Sequence, residues 1–205
     1  MNVLDVQDKD EFGGVSITLL REQKKAAELG YVSMNLLEPP EGAHWGEFND
    51  RKVDPDWVST LLKSFENNLD NCTDQTAVEA AVKKSWLKNP DQIIPSVEGK
   101  LIQSIPKLEF TDEGKTAILP KNLWMLGGNH RREALIQLVT KWKAQLKEKR
   151  KQIGKMEAEE QSGIGGTIDD EEELESLQKS TKKLEELIRS SSVWVVRLYD
   201  RGVDQ

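Results

Sequence analysis

Leu126-Gly127-Gly128-Asn129-His130-Arg131-Arg132-Glu133-Ala134-Leu135 joins two kinds of pattern. Before it stands a short apolar run, Asn122-Leu123-Trp124-Met125-Leu126. After it, Leu135, Leu138, Val139, Trp142 and Leu146 recur at helical spacing. The stretch therefore predicts a strand, a glycine turn and a helix running from Arg131 to about Met156. The first turn of a helix carries unpaired backbone N–H groups and the positive end of the helix dipole. Glycine lets backbone approach a ligand without a Cβ in the way. His130, Arg131 and Arg132 add side-chain donors, and phosphate is the usual anion at such a place. A Gly-Gly pair is also an ordinary turn, and arginine in a first helical turn is also a solvated face. The dipole prefers acids at that end, so two adjacent bases set against it point towards function.

Working outward, Val193-Trp194-Val195-Val196-Arg197-Leu198 reads as a closing strand. Between it and the motif helix, Gln161 to Thr167 breaks the pattern and Asp169 to Arg189 reads as a second helix. Its stripe is Leu174, Leu177, Leu184, Leu187 and Ile188. The two charged helices predict a hairpin over residues 141–190, inserted before the last strand. Upstream, Asp54 is a good N-cap and Pro55 suits the first helical position, so Val53 to Leu69 reads as a helix. Its predicted apolar face is Trp57, Val58, Leu61, Leu62 and Phe65. Val15 to Leu20 reads as a strand, Arg21 to Leu29 as a helix ended by Gly30, and Tyr31 to Leu37 as a further strand. Thr76 to Leu87 reads as a helix with Val78, Val82 and Trp86 on its apolar side. From Ile93 to Leu126 short strands are expected, Ala117-Ile118-Leu119 among them, with Thr111 to Lys115 as a hairpin turn. Residues 1–14 read as a loose polar end.

Composition bounds the function classes. The 205 residues carry a net charge of −7, with 37% hydrophobic and 32% charged residues. Much of that charge falls between 141 and 190. The acidic balance argues against DNA as a partner, which needs a basic face. A single cysteine, Cys72, excludes an intramolecular disulfide and points to an intracellular compartment, cytoplasmic or nuclear. It reads as an ordinary thiol. Two histidines and one cysteine, dispersed, offer no zinc spacing, so no protein metal site is expected. The start carries no signal-peptide pattern and no stretch approaches membrane-spanning length.

The turn Leu126-Gly127-Gly128-Asn129-His130-Arg131-Arg132-Glu133-Ala134 resembles the signature of the ParB/sulfiredoxin superfamily. Sulfiredoxins carry Gly-Gly-Cys-His-Arg there, ParB-type proteins Gly-Glu-Arg-Arg, and related free-serine kinases Asp-Gly-His-His-Arg. Asn49-Asp50-Arg51 and the helix after it resemble the family's Asn-Pro-x-Arg segment. The closing strand resembles the one that follows the motif helix. The resemblance implies an α+β fold: a single domain over 1–205, with a small mixed sheet, packed helices and the 141–190 hairpin inserted in it. It also implies a turn that cradles nucleotide phosphates. The sequence departs from the family at the reactive positions. Asn129 replaces the sulfiredoxin cysteine and the ParB glutamate, and Gly127 replaces the kinase aspartate, so no catalytic residue is assigned.

The resulting binding set is Gly127, Gly128, Asn129, His130, Arg131 and Arg132, with Arg51 as a second basic contribution that the resemblance implies. The expected ligand is a nucleoside triphosphate whose Mg²⁺ it carries itself. Glu47, Asp50 and Asp54 are the nearest carboxylates that could share the ion. Three readings follow. One is a nucleotide-binding module, with weak triphosphatase or switch activity. Another is a phosphotransferase of the same fold. The third is a non-enzymatic scaffold that binds a protein partner through the 141–190 helices.

Overall fold

The computed structural model describes residues 11–12, 15–45, 52–116, 123–162 and 168–202. Residues 1–10 of the expected loose end, the Asn49–Arg51 segment, the strand at 117–119 and residues 163–167 of the expected break lie outside them; Glu11–Phe12, expected to be loose, instead pairs with Val15–Ser16. In chain order the elements are β1 (Glu11–Phe12), β2 (Val15–Ser16), α1 (Ile17–Ala27), β3 (Glu28–Asn35) and β4 (Ala43–Trp45). Then come α2 (Pro55–Asn67), β5 (Val78–Val82), α3 (Asp112–Thr116), β6 (Leu123–Met125), α4 (Asn129–Gln161), α5 (Ile168–Ser191) and β7 (Val193–Asp200). The chain is α+β. Its main sheet has the order β3-β7-β5-β6-β4. β3–β7 and β5–β6 are antiparallel, while β5–β7 and β4–β6 are parallel.

One face of this sheet carries the larger core. Trp194, Val196 and Leu198 alternate along β7, with Val78, Ala80 and Val82 beside them on β5. α2 and α4 cover that face through Val58, Phe65, Leu135 and Leu138. Leu135 and Leu138 are fully buried, each worth ~1.5–3 kcal/mol of removal from water. Helix α2 begins as expected: Asp54 Oδ1 accepts from the amides of Asp56 (2.9 Å) and Trp57 (3.4 Å), with Pro55 opening the helix. Its buried face is narrower than the sequence stripe. Val58, Leu61, Leu62 and Phe65 point inward, whereas Trp57 lies about a quarter-turn away at 100° per residue and is 54% exposed.

Four expectations fail for identifiable reasons. The predicted helix over Thr76–Leu87 is instead β5, followed by a 3₁₀ turn at Lys84–Trp86. Val78, Val82 and Trp86 fit a helical period, but Val78, Ala80 and Val82 fit a period of two equally well. Pairing on both sides decides the matter. The strand predicted for Val15–Leu20 stops at Ser16, and α1 takes over at Ile17. Leu19 and Leu20 are good helix formers and outweigh the β-branched residues before them. Gly30 does not cap that helix. It lies within β3 at φ 120°, where the register shifts, and a Cβ there would stand 2.5 Å from the Ile94 carbonyl oxygen. Thr111–Lys115 is not a hairpin turn but the entry to α3, where Thr111 Oγ1 accepts from the Gly114 amide at 3.1 Å. Of the short strands expected between Ile93 and Leu126, those up to Phe110 reduce to single bridges, Tyr31–Ile94, Ser33–Lys107 and Leu87–Phe110, while the run into Leu126 forms β6.

α4 and α5 pack side by side. Lys149 Nζ donates to Ser180 Oγ at 2.9 Å, and Arg150 pairs with Glu185 at 2.8 Å. Their less exposed residues are Trp142, Leu146, Lys149, Ile153 and Met156 on α4, facing Leu174, Leu177, Thr181, Leu184 and Ile188 on α5. Both sets alternate steps of three and four, the 3.5-residue period of a coiled-coil seam. Leu187, predicted in that stripe, is exposed instead. Among the described residues no helix is long and apolar enough to cross a membrane.

The opposite sheet face is polar at its centre. Arg197 on β7 pairs with Asp74 and lies over the Tyr31 ring, and Tyr31 Oη donates to the same Asp74 oxygen. Those two bonds, from Tyr31 first and Arg197 second, hold the Asp74 carboxyl below the usual carboxylate range. Burial and the Asp74 bond push the Tyr31 hydroxyl up to about 12. A depressed carboxylate stabilises the fold above its unfolded pKa of about 4 and loses that contribution as pH falls through the folded value. Asp74→Asn is therefore expected to lower Tm at pH 7 and to flatten the loss of stability below pH 4. Thermal melts at several pH values measure both.

Candidate functional site

The β6-to-α4 corner is built by packing before any ligand is considered. Leu126 N–H donates to the Glu79 carbonyl at 2.9 Å, ending the β5–β6 ladder. Gly128 then adopts φ 94°. A Cβ at that residue would lie 2.8 Å from Val78 Cγ1 and 3.5 Å from the Trp45 ring. Only glycine meets both conditions. Gly127 differs: its φ is not positive, and among the described residues a Cβ there would meet nothing within 4 Å. The turn is thus closed on the Gly128 side by the sheet and open on the Gly127 side.

The helical ladder starts at Arg132, whose N–H donates to the Gly128 carbonyl at 2.8 Å. The amides just before it, His130 and Arg131 among them, belong to the first turn, ahead of that ladder. No acid stands in this first turn. The N-terminus of α2 is drawn to the same place, because His130 Nε2 accepts the Asp54 amide at 2.9 Å. The start of α2 therefore lies beside the start of α4, but the Asp54 cap and Asp56 in its first turn offset its dipole, so the positive potential of the turn comes from α4.

The side chains are arranged differently from the expectation. His130 does not offer Nε2 as a donor. That atom is an acceptor, which leaves the ring proton on Nδ1. Arg131 turns back along β5, with long bonds to the Ala77 (3.3 Å) and Gln75 (3.5 Å) carbonyls. Burial lowers its pKa, against the pull of Glu79. Arg132 Nε donates to the Leu36 carbonyl at 3.2 Å, and its guanidinium lies 5.6 Å from the Trp45 ring centre. Both arginines thus tie backbone segments to α4, and the phosphate grip expected of Arg131 is not the geometry seen. Asp54 serves as a cap, with Oδ1 committed to two amides. Asn129 opens the helix. Arg51, Glu47 and Asp50 lie outside the described residues.

Other features were not foreseen. Trp45 Nε1, beside Gly128, is buried without a hydrogen-bond partner among the described residues. On the far sheet face, Lys24 and Tyr199 both reach Glu79, at 2.7 and 3.0 Å, next to the Arg197–Asp74 pair. The legible signal for this network was the alternation in Val195-Val196-Arg197-Leu198-Tyr199, which puts Arg197 and Tyr199 on one face. A cleft of about 640 Å³ adjoins it, lined by Tyr31, Cys72, Asp74 and Lys100 among others. Burial first, and Asp70 second, push the Cys72 thiol up, so nothing activates it. Among the described residues no group of His, Cys, Asp and Glu could hold a metal ion. Family models, curated proteins and solved structures were all compared with the chain, and none matches it.

The two glycines are expected to separate in their tolerance. Gly128→Ala should cost about 2–4 kcal/mol, from positive φ and the Val78 overlap together. Gly127→Ala should stay within about 1 kcal/mol. Denaturant midpoints of the two variants give the comparison.

Proposed function

We propose that this chain is a nucleotide-binding domain of ParB/sulfiredoxin-like architecture, taking the phosphates of a nucleoside phosphate at the Gly127–Arg131 turn. The observation that carries the reading is the open side of that turn. A strand delivers Gly127, which among the described residues has free space where a side chain would be, directly to the N-terminus of a 33-residue helix. Phosphate needs converging amides, positive potential and no Cβ in its path. The first-turn amides and dipole of α4, which has no acid in that turn, supply the first two and Gly127 the third. The guanidinium charges of Arg131 and Arg132 support the anion from close by without gripping it. Exposed Trp57 lies three residues beyond Asp54, whose amide His130 holds, and offers an aromatic surface on which a base can stack.

Binding is favoured over phosphotransfer by a specific point of chemistry. Transfer needs a group that positions or deprotonates the acceptor. In the turn, residue 127 is glycine, residue 129 is an amide, and His130 Nε2 is occupied by the Asp54 N–H. A Mg²⁺ ion would arrive with the nucleotide and would offset its phosphate charge.

Thermal shift with ATP, CTP, GTP and ADP, with and without Mg²⁺, tests the reading. Ligand at 100-fold over Kd stabilises by ~2.7 kcal/mol, a rise of roughly 5–10 °C in a domain of this size. Gly127→Asp places a carboxylate at the open side, where no described residue stands within 4 Å of its Cβ. It is expected to keep the unliganded Tm within about 2 °C and to abolish the shift. Absence of a shift with every nucleotide, or an equal shift in Gly127→Asp, would refute a phosphate site at this turn.

A further inference from the structure

Charge in the α4–α5 hairpin is sorted by distance along its axis. Lys141 to Lys155 on α4, with Lys179, Lys182 and Lys183 on α5, form a basic band; Glu148 lies within it, and Glu185, paired with Arg150, and Glu186 follow it on α5. From Met156 to Gln178 there is no lysine or arginine. That part holds Glu157-Ala158-Glu159-Glu160 and Asp169-Asp170-Glu171-Glu172-Glu173-Leu174-Glu175. Lys149 meets Ser180 and Arg150 meets Glu185, so the basic stretches of the two helices lie at one level and the acidic stretches farther out. Lys147, Lys151, Lys182 and the run Glu171-Glu172-Glu173 are exposed. From Lys149 to Glu160 is ~16 Å at 1.5 Å per residue. That exceeds the Debye length of about 8 Å at physiological salt, so the centres of the two zones are largely screened from one another within one arm; only where the zones meet does Lys155 pair with Glu159, at 3.5 Å.

We propose that the hairpin is an arm that pairs with the arm of a second copy of this chain, antiparallel, with the acidic tip of each on the basic band of the other. A two-fold axis between the arms makes both contacts at once, as closed symmetric dimers require. The occupant follows from the charge pattern. A polyanion would suit the band and be repelled by the tip, and a polycation the reverse. A second copy complements both. The seam agrees: Leu146, Ile153, Met156, Leu174 and Leu177 are only half-buried by the two-helix arm, leaving apolar surface for a partner arm to cover. The net charge of −7 opposes approach at long range, while the banding acts at contact distance. This pairing does not depend on the anion site at the base of α4.

Sedimentation velocity of the whole chain at about 0.1 M and about 1 M NaCl, where the Debye length is ~10 and ~3 Å, reads the association directly. A dimer at low salt that dissociates at high salt is expected. A tip variant (Glu171→Lys, Glu172→Lys, Glu173→Lys) and a band variant (Lys147→Glu, Lys151→Glu, Lys182→Glu) should each be monomeric. Mixed in equal amounts they should form a heterodimer, since each then supplies what the other's arm lost. A wild-type monomer at low salt overturns the proposal, whatever the variants do. So does a dimer that survives both reversals. Retention of a monomeric wild type on a polyanion, lost in the band variant, would assign the band to that class of partner instead.

Discussion

The corner between β6 and α4 has no room for a side chain at residue 128, and the rest of the arrangement follows from that. Val78 and the Trp45 ring fill the space where a Cβ would stand. The backbone can therefore turn directly off the sheet into α4, close enough for Leu135 and Leu138 to land in the core. The same turn sets His130 against the start of α2 and Arg132 against the end of β3. One missing side chain thus positions both covering helices and leaves Gly127 facing outward.

Basic residues in the first turn of a helix oppose its dipole, and their cost calls for a compensating contact. The sequence pointed to a bound anion as that compensation. In the structure Arg131 and Arg132 find it first in backbone carbonyls of the segment leading into β5 and of Leu36, just after β3. The anion reading consequently rests on amides and open space more than on guanidinium forks. Its affinity would come from preformed geometry, which costs little ordering on binding.

Much of the fold was legible where a local rule and the tertiary context agree. Asp54-Pro55 fixed the start of α2, the apolar run into Gly127-Gly128 fixed β6 and α4, and Val193–Leu198 marked β7. Legibility failed where two periods fit the same residues, as at Val78, Ala80 and Val82. It failed again where a glycine served a long-range contact, since nothing near Gly30 in the sequence announces the Ile94 carbonyl. The site was legible in position and not in detail. The turn and its glycines could be named, but the direction of each side chain depends on partners as distant as Leu36 and Asp54. The seam of the arm was visible only in part, because Lys149 and Thr181 interrupt its apolar rows.

Backbone amide shifts in ¹⁵N–¹H spectra, followed during titration with Mg²⁺-ATP and separately with inorganic triphosphate, test the central claim most directly. If the Gly127 turn receives phosphate, the amides of Gly127, Gly128, His130 and Arg131 move together and saturate with both ligands. Saturable shifts confined to other parts of the chain, or none with either ligand, would contradict it.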